Sequence, residues 1–161
     1  MLDVTDTNLR AGLTAALAVP RWVRDVASRA PFNDLATLLA VARAEATPLA
    51  PDEVTQAIAH HPRIGEQPAG FSVSAELSRV EQGAATELAD ELATGNAAYE
   101  RRFGRVFIIR AAGRSRAEIL TELEHRLQLD DTTELIIVGE QLRDIALLRL
   151  EKLFGATGGA A

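Results

Sequence analysis

Two of the three histidines in the chain stand side by side in "IAHHPRIGEQ", at His60 and His61, directly before Pro62. An imidazole gives and takes a proton near neutral pH, and a following proline stiffens the turn that aims it. Adjacent side chains leave a helix end in different directions, so one of the two can face a pocket while its neighbour faces solvent. A structural reading stands beside this one: histidines in the last turn of a helix are favoured by the negative end of its dipole. A zinc site is disfavoured, because the pair lacks the i, i+4 spacing and the further ligands that zinc takes.

Downstream comes "SRVEQ", Ser78 through Gln82. On a helix Ser78, Glu81 and Gln82 share one face, so a hydroxyl, a carboxylate and an amide can meet one ligand. The same residues serve equally as an exposed face or as a cap with its capping-box partner. A third stretch, "NAAYERRFGRVFIIR", sets Asn96, Tyr99, Arg102 and Phe103 before Gly104, which can supply a positive φ. It too has a structural reading, a glycine-terminated helix followed by a buried connector.

The elements that must carry these residues read as a succession of helices. Leu9, Leu13 and Leu17 mark the face of a first helix from Thr7 to about Val19, closed by Pro20. A short helix over "RWVRDVASR" follows. Asn33 is the expected cap of a third, with Leu35, Leu38, Leu39 and Ala42 inward and Pro48 beyond its end. Pro51, Asp52 and Glu53 open a fourth that runs to His61. A loop from Pro62 to about Val73 precedes a long run from Ser74 to Arg102, which Gly83 and Gly95 are expected to bend or break. Ser115 with Glu118 and Asp131 with Glu134 read as capping boxes for two last helices, the second ending at Gly155. "GRVFIIR" is strand-like, but a strand without a partner makes no sheet, so a buried extended connector is expected. The result is an all-α, single-domain bundle of about seven to nine helices over residues 1–161, with a flexible tail from about 156.

Composition narrows the function classes. No cysteine is present, which removes thiolate nucleophiles, disulfides and Cys-ligated metals together. The net charge of −6 opposes generic nucleic-acid binding, where a basic face must replace the phosphate counterions. No apolar run is long enough to span a bilayer and no secretory signal is evident, so a cytoplasmic protein is expected.

Taken in order, "HPRIG", "SRVEQ", "NAAYERRFGRVF", "GRSRAEILTELEHRL" and "ALLRLEKL" resemble the 2-oxo-4-hydroxy-4-carboxy-5-ureidoimidazoline (OHCU) decarboxylase family, over nearly the whole chain and including "RWV" and "RAPF". The resemblance implies an all-α fold and cofactor-free, metal-free decarboxylation of OHCU to (S)-allantoin and CO₂ in urate catabolism. It also implies a small-molecule substrate, with neither nucleic acid nor membrane as partner, and a homodimer. Carried over residue by residue, it makes His61 the catalytic imidazole and Glu81 a second catalytic group. Pro62, Ser78, Arg79, Val80, Glu81 and Gln82 then contact substrate, together with Phe107, Ile108, Ile109, Arg110 and Ala111 of the connector. Two departures stand out. Arg105 and Val106 replace an aromatic and a proline common in relatives, which would loosen the connector, and Arg110 stands where a small residue is usual. That guanidinium either faces solvent or adds a cation near an anionic ligand. The alternatives of another class are a helical interaction module, and a cofactor-free lyase or hydrolase of a related ureido compound.

Overall fold

A computed structural model of the chain describes residue 2, residues 4–61 and residues 88–158. Among the described residues there are seven helices and no strand: α1 (Asp6–Ala16), α2 (Pro20–Ala27), α3 (Leu35–Glu45), α4 (Pro51–Ile58), α5 (Ala89–Phe103), α6 (Arg116–Arg126) and α7 (Asp131–Gly158). The all-α expectation holds.

The helix starts follow from side chains that satisfy otherwise orphaned N–H groups. Asp34, not Asn33, caps α3: its carboxylate accepts from the Thr37 amide at 2.8 Å and the Thr37 hydroxyl at 2.7 Å. A charged acceptor at the positive end of the helix is the stronger cap. Asp130 rather than Asp131 accepts from the Thr133 amide at 2.7 Å. Glu134, expected as the capping partner, is wholly buried and paired elsewhere. Ser115 caps α6 as expected, accepting from Glu118 N–H at 3.1 Å. Pro20 does not close α1; it opens α2 at a position where no donor is missed.

The long helix α7 packs against α1, α3 and α4, while α1 packs on α2, α2 on α3, and α5 on α6. The larger apolar cluster includes Leu13, Trp22, Leu38, Val54, Leu142 and Leu150. Trp22 is fully buried, and its indole N–H donates to the Ala42 carbonyl at 3.0 Å, which removes the cost of burying that donor. A smaller cluster gathers Leu92, Tyr99, Phe107, Ile109, Ile119 and Leu123 between α5 and α6. Gly95 lies inside α5 without breaking it. A Cβ there would stand 2.4 Å from Leu123 Cδ2, so the glycine is the space that lets α6 approach. Gly104 ends α5 in the left-handed region, at φ 72°, with its N–H on the Glu100 carbonyl at 2.8 Å.

After Gly104 the chain runs extended. Val106 and Ile108 belong to the larger cluster, and Phe107, Ile109 and Ala111 to the smaller one. This period of two is that of extended backbone, so the connector is a seam that sews the two cores together. Arg105 ties it down rather than loosening it: the guanidinium lies 5.3 Å from the Phe103 ring centre and donates to Asp131 at 3.1 Å.

Candidate active site

The histidine corner is built from the start of α4. Pro51 takes the first position, and Glu53 accepts from the Ala50 amide at 2.9 Å. The Glu53 carboxylate also receives Arg21, with Nε at 2.7 Å and Nη2 at 3.0 Å, in the two-point geometry that makes such pairs strong. Arg21 further donates to the Glu45 carbonyl at 2.9 Å, so one guanidinium joins α2, the end of α3 and the start of α4. That pairing, first through its hydrogen bonds, holds the Glu53 carboxyl below the usual range against the opposing effect of burial.

Helix α4 ends at Ile58, three residues short of His61, where the hydrogen bonds tighten from four residues back to three. Two turn bonds carry the chain onward, His60 N–H to Ala57 at 3.1 Å and His61 N–H to Ile58 at 3.0 Å. The two imidazoles meet different surroundings. His60 is exposed and His61 is partly buried.

His61 is not a dipole-favoured cation. Burial first, then the positive charge of Arg149 and the neighbouring His60, push its pKa down to about 3. It is therefore a neutral imidazole throughout the physiological range, able to accept a hydrogen bond but too weakly basic to hold a proton. Arg149 is buried in α7 and donates to the Ala15 carbonyl at 3.2 Å. Its role beside His61 was missed in the sequence. The signal was there: Val138, Leu142 and Ile145 recur at helical spacing as a buried stripe, and Arg149 is the next position on it, where an arginine is rarely left without a task.

Tyr99 and Asn96 are both buried in α5. The Tyr99 hydroxyl donates to Glu134 at 2.6 Å, and burial together with that carboxylate raises its pKa far above the ordinary phenol value. Glu134 in turn holds Arg126, through Nε at 2.9 and 3.0 Å and through Nη2, and both side chains are fully buried. Arg126 lies 4.6 Å from the Phe107 ring centre and donates to the Ile108 carbonyl at 2.7 Å. Two residues on, the Arg110 amide donates to Gln141 Oε1 at 2.9 Å. The connector expected to contact a ligand is thus buried at Phe107, Ile108, Ile109 and Ala111, with Arg110 half-buried. Arg102 and Phe103 serve the α5 end instead, with Arg102 donating to the Leu129 carbonyl at 2.6 Å.

Of the residues picked out in the sequence, His61 and the connector are described; Pro62, Ser78, Arg79, Val80, Glu81 and Gln82 lie outside the described residues. Ile58, just before the histidine corner, packs on the apolar cluster that contains Ile108. No group of three or more His, Asp or Glu side chains suited to a metal occurs among the described residues. No helix among them is long and apolar enough to cross a membrane.

The family model of OHCU decarboxylase matches residues 3–151. The chain belongs to the OHCU decarboxylase family. Over 107 residues, 62% of its length, it is 36% identical to a bifunctional uric acid degradation protein of Arabidopsis thaliana, and it spans about a third (33%) of that relative's length. A crystal structure of an OHCU decarboxylase in the presence of (S)-allantoin superposes with a TM-score of 0.75 at 26% identity, covering 90% of this chain and 98% of that one. An (S)-allantoin synthase structure gives 0.67 at 16% identity over 95% of this chain and 52% of that one, a likeness of fold alone. The OHCU decarboxylase family thus accounts for the helical architecture and for the ordered motifs of the sequence.

Proposed function

We propose that this member of the OHCU decarboxylase family converts OHCU to (S)-allantoin and CO₂ in urate breakdown, without a cofactor. The observation that carries the reading is a neutral, partly buried His61 beside the buried cation Arg149, in a chain matched by the family from residue 3 to residue 151.

The substrate holds a carboxylate and a hydroxyl on one ring carbon, next to a C=N carbon bearing the ureido group. When the carbon–carboxylate bond breaks, its electron pair passes to the adjacent C=N, whose nitrogen takes up a proton, so the substrate is its own electron sink. Neutral His61 accepts a hydrogen bond from the hydroxyl and so orients it, which a protonated imidazole could not do. Arg149 draws the anionic carboxylate towards His61, and within the run from Phe107 to Ala111 the backbone edge centred on Ile109 faces the amide-rich ring, the Ile108 carbonyl and Arg110 amide being held by Arg126 and Gln141. Ser78, Glu81 and Gln82 grip the ureido end, with Pro62, Arg79 and Val80 completing the contacts and Glu81 as the second catalytic group. Protonating the enol on one face gives the (S) product, which spontaneous decay does not select.

The test is to generate OHCU in situ from urate, add the protein and follow optical rotation. Accelerated appearance of (S)-allantoin is expected; racemic allantoin at the uncatalysed rate would overturn the reading.

The protein is proposed to act in the cytoplasm as a homodimer. In support of the dimer, Ile136 is 61% exposed, the one large exposed hydrophobic among the described residues. It borders a mainly apolar groove of about 490 Å³ between Pro48, Leu49 and the first half of α7. Glu140 and Arg143 on the same groove can pair reciprocally across a two-fold axis. Light scattering of the native chain and of Ile136→Asp tests this: a monomeric native chain at micromolar concentration would end the proposal.

A further inference from the structure

The far half of the connector is tied to α7 by a side-chain hydrogen bond, from the Arg110 amide to Gln141 Oε1 at 2.9 Å. The connector's side chains alternate between two apolar clusters, so its N–H and C=O groups also alternate between two edges. One edge carries Ile108 and Arg110, and both are clamped: the Ile108 carbonyl by Arg126 at 2.7 Å, the Arg110 amide by Gln141. The opposite edge carries Phe107, Ile109 and Ala111. Arg126 is itself locked in the interior by Glu134, whose carboxylate also accepts from the Tyr99 hydroxyl. Gln141 is half-buried and stands two helical turns along α7 from Glu134, on the same face. Packing of Ile108 and Ile109 into opposite clusters prevents a slip of one residue, since a slip would exchange the two sides. It does not fix how far the far half of the connector leans from α7. The Gln141 bond does.

We propose that Gln141 is a positioning residue for substrate, setting the Ile109 backbone edge against the planar amide groups of the ligand. The inference rests on the decarboxylase reading and adds to it a residue on α7 that does not itself touch the ligand. Without the Gln141 acceptor the connector leans, and the backbone interaction this weakens is one that bound substrate and transition state make alike. Such a change raises KM and leaves kcat nearly unchanged.

The experiment compares the native chain with Gln141→Leu and Gln141→Glu, the second of which keeps an oxygen at the same reach. Each is assayed on OHCU generated in situ, and exchange of the Arg110 amide is followed by NMR. Gln141→Leu is expected to raise KM about tenfold, the worth of one backbone hydrogen bond, with kcat within about threefold. Its Arg110 amide exchanges faster, and Gln141→Glu stays near native in both respects. A purely structural role would instead lower the active fraction, and so kcat, at unchanged KM. Native KM in Gln141→Leu, or Gln141→Glu as impaired as Gln141→Leu, overturns the inference and leaves the decarboxylase reading intact. A native chain that does not accelerate OHCU decay sinks that reading itself.

Discussion

Arg126 and Glu134 form an ion pair with neither side chain exposed, and the same guanidinium holds the Ile108 carbonyl oxygen at 2.7 Å. A charge pair taken out of water this completely persists only because its remaining donors and acceptors are filled, here by Ile108 and by the Tyr99 hydroxyl. The pair is therefore a scaffold for the connector more than a source of net stability. Replacing Arg126 by Met strands a buried carboxylate and is expected to cost about 3–5 kcal/mol in urea unfolding. The double change Arg126→Met with Glu134→Leu should cost clearly less than that single change; an equal or larger loss would show that the ion pair itself supplies the stability.

His61 gives a pH dependence of definite sign. Its folded pKa of about 3 lies below the ordinary 6.5, so the unfolded chain binds more protons between those values. Its share of stability is complete above about pH 6.5 and is lost as pH falls towards 3. His61→Asn is expected to flatten the fall of melting temperature over that window while lowering turnover by about tenfold, the worth of the hydrogen bond His61 accepts from the substrate hydroxyl. In the native enzyme kcat/KM, which reports the free protein, should show no inflection near 6.5 from this group. An inflection there that vanishes in His61→Asn would refute the neutral-imidazole assignment.

Arg149 is one of the charges that keep His61 neutral. Removing it with Arg149→Met is expected to move the His61 titration upward from about 3, visible in the imidazole proton shifts. The same variant should raise KM for the anionic substrate by about tenfold or more, as removal of a charge-assisted hydrogen bond does. Arg149→Lys, which restores the charge without the planar fork, should recover the His61 titration better than the KM. An unmoved titration in Arg149→Met would separate the two residues.

Alanine normally improves on glycine in a helix by about 1 kcal/mol. Gly95 should show the reverse. The added methyl would meet Leu123 Cδ2 at 2.4 Å in a fully buried cluster, and overpacking of this kind costs about 1–3 kcal/mol. Gly95→Ala is expected to lower the melting temperature, and Gly95→Ala with Leu123→Val to recover part of the loss. A stabilised Gly95→Ala chain would mean that α5 and α6 do not approach this closely.

Hydrophobic periodicity and local punctuation are properties of neighbours in sequence, and they were legible. The leucine spacing located α1 and α3, the Pro51 start located α4, and Ser115 located α6. The solitary strand-like run is recognisable as a connector because a strand needs a partner. Errors of one residue at Asn33 and Asp131 arise where two adjacent side chains are both competent caps, a choice that backbone geometry makes.

The amino-acid sequence by itself determined the helical class, the histidine before a proline, and the ordered motifs that place the chain in its family. Only the tertiary structure decided what those residues are chemically. The charge state of His61 depends on burial and on Arg149, eighty-eight positions away in sequence. The connector's alternation between two cores, and its clamping by Arg126 and Gln141, depend on which helices lie beside it. Burial and electrostatic coupling act through space, so residues distant along the chain set them, and no local pattern records the result.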